Sequence, residues 1–194
     1  MKKWLLITLA SLTPGLACAA PSVLPTRDVS VSYTLTTPGQ PAQTLQLSYN
    51  AARELARISS ADGYYVLANL PAGQAQLVIP ALHAVVQAPD FSTLVATLFK
   101  AGDDAHFTAL GTGHYAGLTC EMYRVTDQTA SAHACLTADG VILHFSGHNA
   151  DSEADVTALS VHYGPQPASQ FEVPPGLTPL NLPAGALQAL LKPQ

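Results

Sequence analysis

Val29-Ser30-Val31-Ser32-Tyr33-Thr34-Leu35 alternates apolar and polar residues with a period of two, and the chain keeps that rhythm between turn signals as far as Gln87. Such alternation puts every second side chain on one face of a strand and buries that face. Pro38-Gly39 ends the first run, and Thr44 to Tyr49 forms the second, with Leu45, Leu47 and Tyr49 on its apolar side. Arg53 to Ser59 reads as a third strand, Asp62-Gly63 as a hairpin turn, and Tyr64 to Leu70 as a fourth strand. Pro71-Ala72-Gly73 turns the chain into Gln74 to Ile79, and Leu82 to Gln87 completes the series. Connections this short exclude parallel neighbours, which need crossovers of about a dozen residues, so these strands form an antiparallel meander.

The period then changes. Asp90 is a good N-cap, and Phe91, Leu94, Val95, Leu98 and Phe99 recur at helical spacing, with Lys100 in the last turn and Gly102 as the stop. The apolar stripe of this helix needs a partner, and one face of the sheet is the surface that can supply it. Strand rhythm returns from Phe107 to Tyr163. A Pro-rich tail, Pro165 to Pro183, follows, and Ala184 to Leu191 reads as a short C-terminal helix.

At the other end, Lys2 and Lys3 precede the mostly apolar run Trp4 to Leu12, Pro14-Gly15 breaks it, and Ala17-Cys18-Ala19 is a small-x-small cleavage site. This is an export signal cleaved after Ala19, and the run is too short to span a membrane. The alternative is a lipid-anchored form at Cys18, although Gly15-Leu16-Ala17 has its large residue one place later than a lipoprotein signal requires. Residues 20–194 then make a single domain, working in a periplasmic or secreted, oxidising space.

After cleavage six Lys and Arg face thirteen Asp and Glu, a net charge of −7. Nucleic acid and anionic membrane surfaces are poor partners for such a chain, because both require clustered basic residues. Charged residues make up 11% of the sequence, under half the usual share of about 25%. The surface or a cavity is therefore richer than usual in Ala, Thr, Gln and aliphatic groups.

Cys120 and Cys135 are symmetric about Asp127-Gln128. A hairpin with a loop over Thr126 to Thr129 sets the two cysteines directly opposite each other, at a non-hydrogen-bonded site close enough for a bridge. With the export signal, the pair reads as a structural disulfide.

The surrounding block carries a family resemblance. Gly111-Thr112-Gly113, Ala116-Gly117-Leu118-Thr119-Cys120, the second cysteine strand Ala134-Cys135-Leu136 ending in Asp139-Gly140-Val141, and the closing Phe171-Glu172-Val173-Pro174-Pro175-Gly176 stand in order along the chain. This pattern resembles exported bacterial proteins distantly grouped with the lipoprotein carrier LolA. Leu177 occupies a position where that family more often has an aromatic. The resemblance implies a deeply curved antiparallel sheet, an incomplete barrel whose concave face is covered by helices and, in the carriers, receives acyl chains. The expected fold class is thus mainly β (α+β), a single LolA-like half-barrel of about nine to eleven strands with one covering helix and a short C-terminal helix. No functional residue carries over.

Site chemistry is sparse. The histidines at 83, 106, 114, 133, 144, 148 and 162 are scattered, without His-x-His or His-Glu-x-x-His spacing. The strongest metal reading joins His144 and His148, on one strand face, with Asp151 or Asp155 for zinc, or sets His133 opposite Met122 for copper. Surface histidines are favoured over either. Phe145-Ser146-Gly147-His148 lacks the strand-turn-helix context of a nucleophile elbow. The carboxylates Asp103-Asp104, Asp151, Glu153 and Asp155 read as solvated loop residues, and Gly111-Thr112-Gly113 lacks the Lys of a phosphate loop. No catalytic residue, metal site or cofactor is expected.

The expected function is a non-enzymatic binding or carrier protein for lipid or another hydrophobic ligand. Its cavity candidates are Phe91, Leu94, Val95, Leu98 and Phe99 on the helix, with Val31, Tyr33, Leu45, Leu47 and Tyr49 on the sheet. The alternatives are a structural or interaction protein of the envelope with a filled core and an envelope protein partner, and a histidine-based metal binder.

Overall fold

The structure is a computed structural model, and it describes residues 21–87, 105–126, 131–148 and 153–181. Twelve strands form one sheet: β1 (Val29–Thr36), β2 (Gln43–Asn50), β3 (Leu55–Ser60), β4 (Tyr65–Asn69), β5 (Gln74–Ile79), β6 (Ala84–Gln87), β7 (His106–Tyr115), β8 (Leu118–Thr126), β9 (Ser131–Leu136), β10 (Ile142–His148), β11 (Glu153–Tyr163) and β12 (Thr178–Asn181). Their order across the sheet is β12-β6-β5-β4-β3-β2-β1-β11-β10-β9-β8-β7. Two meanders, β1 to β6 and β7 to β11, are therefore sewn together along the β1–β11 ladder.

The expected architecture holds as a large, curved, open antiparallel sheet, with two corrections. The strand count is twelve rather than nine to eleven. The additional strand, β12, lies inside the Pro-rich tail and pairs parallel to β6. Pro179 can sit there because an edge strand needs only one side of its backbone paired. The run read as Leu82 to Gln87 is also shorter than expected. Pro80–Leu82 forms a 3-10 turn, His83 takes the left-handed conformation, and β6 begins at Ala84. The two helices expected over Asp90 to Lys100 and Ala184 to Leu191 lie outside the described residues.

The hairpins follow from their turn residues. Gly63 sits at φ 86°, a conformation that costs a residue with a Cβ but not glycine, and Gly63 N–H donates to Ser60 O to close the β3–β4 turn. The sheet turns back on itself at the β7 end, since β7 touches β11 although three strands lie between them. Two bulges accompany this bending, in the β10–β9 ladder between Ile142 and His144 and in β7 between Ala109 and Gly111.

Curling brings both meanders into one core. Val29, Val31, Tyr33 and Tyr49 pack there with Cys120, Cys135, Val141, Leu143 and Ala158. On the opposite face of β4 to β6, Tyr65, Leu67, Val78 and Val85 form a second cluster, covered by Val173 and Leu177 of the tail. The Val-Pro-Pro-Gly stretch thus lays an apolar strap across the back of the sheet before the chain adds β12 at the edge.

Candidate functional site

Register places aliphatic residues from eight neighbouring strands in a single row: Val161, Val31, Leu47, Ile58, Val66, Leu77, Val86 and Leu180. Strands lie about 4.8 Å apart, so the row runs roughly 34 Å across the sheet. It arises because each meander strand keeps its apolar residues in phase and each short turn keeps the register. Burial along the row is uneven. Val31, Leu77 and Val86 are fully buried, whereas Ile58, near the middle, is 42% exposed and its neighbours Leu47 and Val66 are only partly covered.

Of the five sheet residues expected to line a cavity, all lie on this face, as the cross-strand pairs Val31 with Leu47 and Tyr33 with Leu45, and with Tyr49 opposite Val29. Val31, Tyr33 and Tyr49 are buried in the core with the cysteines, and Leu45 and Leu47 pack at its margin. Tyr33 donates its phenol to Ile142 O at 2.8 Å, which ties β1 to β10. Burial pushes the Tyr33 phenol well above its ordinary range and raises that of Tyr49 to about 12. Phe91, Leu94, Val95, Leu98 and Phe99 lie outside the described residues. Ile58 and Val66 escaped the sequence reading, although each alternates in phase with its own strand.

Cys120 and Cys135 form the expected disulfide, with Cα atoms 5.4 Å apart. The hairpin register differs from expectation: Met122, not Cys120, lies opposite Cys135, and His133 lies opposite Arg124 rather than Met122. The ladder's last pair is Thr126 with Ser131, so the connection falls at residues 127–130, one place later than expected. A slip of two in register keeps every side chain on its own face, and the bond therefore forms diagonally. Gly113 lies against this bridge: a Cβ there would meet Cys135 Sγ at 2.8 Å.

A polar cluster lies at the start of β1. Asp139, in the β9–β10 turn, accepts from Arg27 Nε at 2.6 Å and from the Tyr163 phenol at 3.0 Å, and Thr137 donates to it as well. The Arg27 guanidinium stacks 3.8 Å from the centre of the Tyr163 ring. Burial pushes the Asp139 carboxyl up, but the hydrogen bonds from Thr137, Arg27 and Tyr163 outweigh it and hold the group below its ordinary value. Arg27, Asp28, Tyr163, Gly164 and Pro165 line an open depression of about 430 Å³ beside it. The carboxylates here already have partners. Asp28, for example, receives Ala51 N, Asn50 Nδ2 and Gln166 N.

The histidine candidates are only partly brought together. His144 stacks on Tyr115 with ring centres 4.8 Å apart, its Nδ1 lies 3.1 Å from Thr157 Oγ1, and its Nε2 lies 3.7 Å from Asp155. The side chain of His148 and the whole of Asp151 lie outside the described residues. Among the described residues no three His, Cys, Asp or Glu side chains converge as a metal site would need. Ser146 faces Asp155 on one side and His133 on the other. A nucleophile relay needs the imidazole between the hydroxyl and the carboxylate, and this order places the serine in the middle.

No protein-family model matches the chain. No curated protein matches it. Among solved structures, a conserved protein from Thermus thermophilus is similar at TM-score 0.59 and 10% identity, over 81% of this chain and 91% of that one. The Pseudomonas aeruginosa MucA/MucB complex is similar at TM-score 0.52 and 13% identity, over 80% of this chain and 58% of that one. A LolA superfamily protein from Nitrosomonas europaea follows at TM-score 0.40 and 9% identity, over 77% of this chain and 92% of that one, a likeness too distant to carry an argument. At these identities the first two likenesses establish the fold that this chain shares with them.

Proposed function

We propose that this protein is a non-enzymatic binding or carrier protein of the periplasm or extracellular space, taking lipid or another hydrophobic molecule on the aliphatic face of its sheet. The observation that carries the reading is the row through Leu47, Ile58 and Val66, where uncharged aliphatic surface stays half-open between the buried Val31 and Leu77. Each Å² of ligand surface removed from water there contributes about 25 cal/mol, so an acyl chain is held without a charged contact. The disulfide supports export, since such bonds persist in oxidising compartments. The reading includes cleavage after Ala19, one domain over residues 20–194, and a cavity completed by Phe91, Leu94, Val95, Leu98 and Phe99.

A second reading, an envelope protein that binds another protein, is favoured by two observations. Val31, Tyr33 and Tyr49 fill a core with the cysteines instead of lining open space, and MucB, of similar fold, is known in complex with MucA. Native mass spectrometry of protein purified from its own envelope separates the two. Co-purified lipid, or micromolar binding of a fluorescent fatty acid, supports the carrier; an empty protein that ignores the probe leaves the interaction reading in place.

A further inference from the structure

We propose that the ligand of the aliphatic face is a lipid with an uncharged head, an ester or amide, and that this face discriminates against carboxylates and phosphates. The inference rests on the carrier reading above and names its substrate class. Residues directly opposite each other on paired strands share a face, so register carries the face that holds Ile58 into the second meander. A second row there runs through Leu35, Val156, Phe145, Ala134, Tyr123 and Ala109. Leu35 alternates in phase with Val31 and Tyr33 along β1, which puts both rows on one side of the sheet.

The described cations all stand off this face. Arg57 lies between Ser48 and Leu67 on the reverse side, where it stacks 3.7 Å from the centre of the Tyr65 ring. Arg124 lies between Thr108 and His133, in a row that reaches Thr36 of β1 through Ser146 and Asp155, again on the reverse side. Arg27 is paired with Asp139, and Arg53 stands in the β2–β3 turn. Among the described strand residues, the carboxylate and the imidazole on the aliphatic side are Glu121 and His114, on β8 and β7 at the far end of the sheet from Ile58. Glu121 already accepts from the Tyr123 phenol. A carboxylate or phosphate drawn onto the row beside Ile58 therefore loses water and meets no counter-ion, whereas an ester has far less hydration to lose. The net charge of −5 also works against an anion. The polar groups beside the row are neutral: Ser60, in phase with Ile58, and the Tyr49 phenol, which burial and the neighbouring Glu54 push up to about 12. A phenol that stays protonated is a donor suited to a carbonyl oxygen.

A fluorescent fatty acid and its methyl ester, titrated separately into the exported full-length protein at neutral pH, test this. The ester should bind about tenfold or more tightly than the acid, whose carboxylate has to stay in water, and added salt should leave the ester affinity unchanged. Ile58→Lys supplies the missing cation at a half-exposed position and should bring the acid level with the ester or ahead of it. An acid that binds the wild-type protein as tightly as its ester overturns the proposal and leaves the carrier reading standing. So does an ester preference that Ile58→Lys leaves unchanged, and the wild-type comparison decides even if that variant folds poorly. Binding of neither probe removes the carrier reading itself, and this inference with it.

Discussion

Cys135 is bonded to Cys120 although Met122 is the residue opposite it in the ladder, so the bridge runs diagonally across the β8–β9 pair. The bond closes a span of 15 residues, and the loop-entropy model gives about 3 kcal/mol for a loop of that length. Replacing both cysteines with serine should lower the denaturation midpoint accordingly and raise the m-value, because the unfolded chain expands once its crosslink is gone. An unaltered midpoint would show that packing alone holds the hairpin.

Gly113 makes a related test that leaves the cysteines in place. A methyl group there meets Cys135 Sγ at 2.8 Å and the Met122 side chain at 3.2 Å, and a bonded sulfur has little room to move. Gly113→Ala should cost about 1–3 kcal/mol, the usual range for overpacking. Equilibrium unfolding in urea measures it.

Asp139 fastens the N-terminal lead to the β9–β10 turn. Its depressed carboxyl fixes the sign of the pH effect: the stabilisation is present above the ordinary carboxylate range and is lost as pH falls through and below it. Asp139→Asn should remove that part of the acid dependence while leaving neutral-pH circular dichroism native. Gly140→Ala should release the lead by another route, because a Cβ at this left-handed position (φ 83°) overlaps Leu24 O. Both variants should be cleaved faster by protease within residues 21–27.

Tyr33 governs the alkaline side. Burial raises its phenol, so the stabilisation is present below about pH 10 and is lost as pH rises beyond that. Tyr33→Phe should flatten the alkaline decline. At neutral pH it should cost about 1 kcal/mol, through the lost hydrogen bond to Ile142 O. Chemical denaturation at neutral and alkaline pH separates the two effects.

The first meander is legible in the sequence because Val29 to Ile79 alternates between turns that have their own residue signatures. β12 is not: Pro179 in a proline-rich tail argues against a strand, and only the tertiary neighbour β6 makes a four-residue edge strand worth forming. The hairpin register differs by two because symmetry about Asp127-Gln128 predicts cysteines that face each other, whereas the diagonal bond needs only that both lie on one face. The Arg27–Asp139 pair has no sequence signal, since its partners are 112 residues apart. The row through Ile58 is implicit in the alternation, but its half-open centre depends on which strands curl into the core.

That half-open centre is where the binding reading can be tested without disturbing the core. Ile58 is 42% exposed, so a carboxylate placed there stays hydrated and should cost the fold less than about 1 kcal/mol. The same carboxylate sits between Leu47 and Val66, where a bound alkyl chain would have to strip its water, a penalty of several kcal/mol for a charge. Ile58→Asp should therefore abolish binding of a fluorescent fatty acid while leaving the unfolding midpoint nearly unchanged. Leu159→Asp is the matched control. Leu159 is 57% exposed at the bulge between β11 and β1, outside the aliphatic row, and its substitution should leave binding intact. Equal binding by wild type and Ile58→Asp would move the ligand off this face, and loss of binding in both variants would point to a general effect of added negative charge on an already acidic protein.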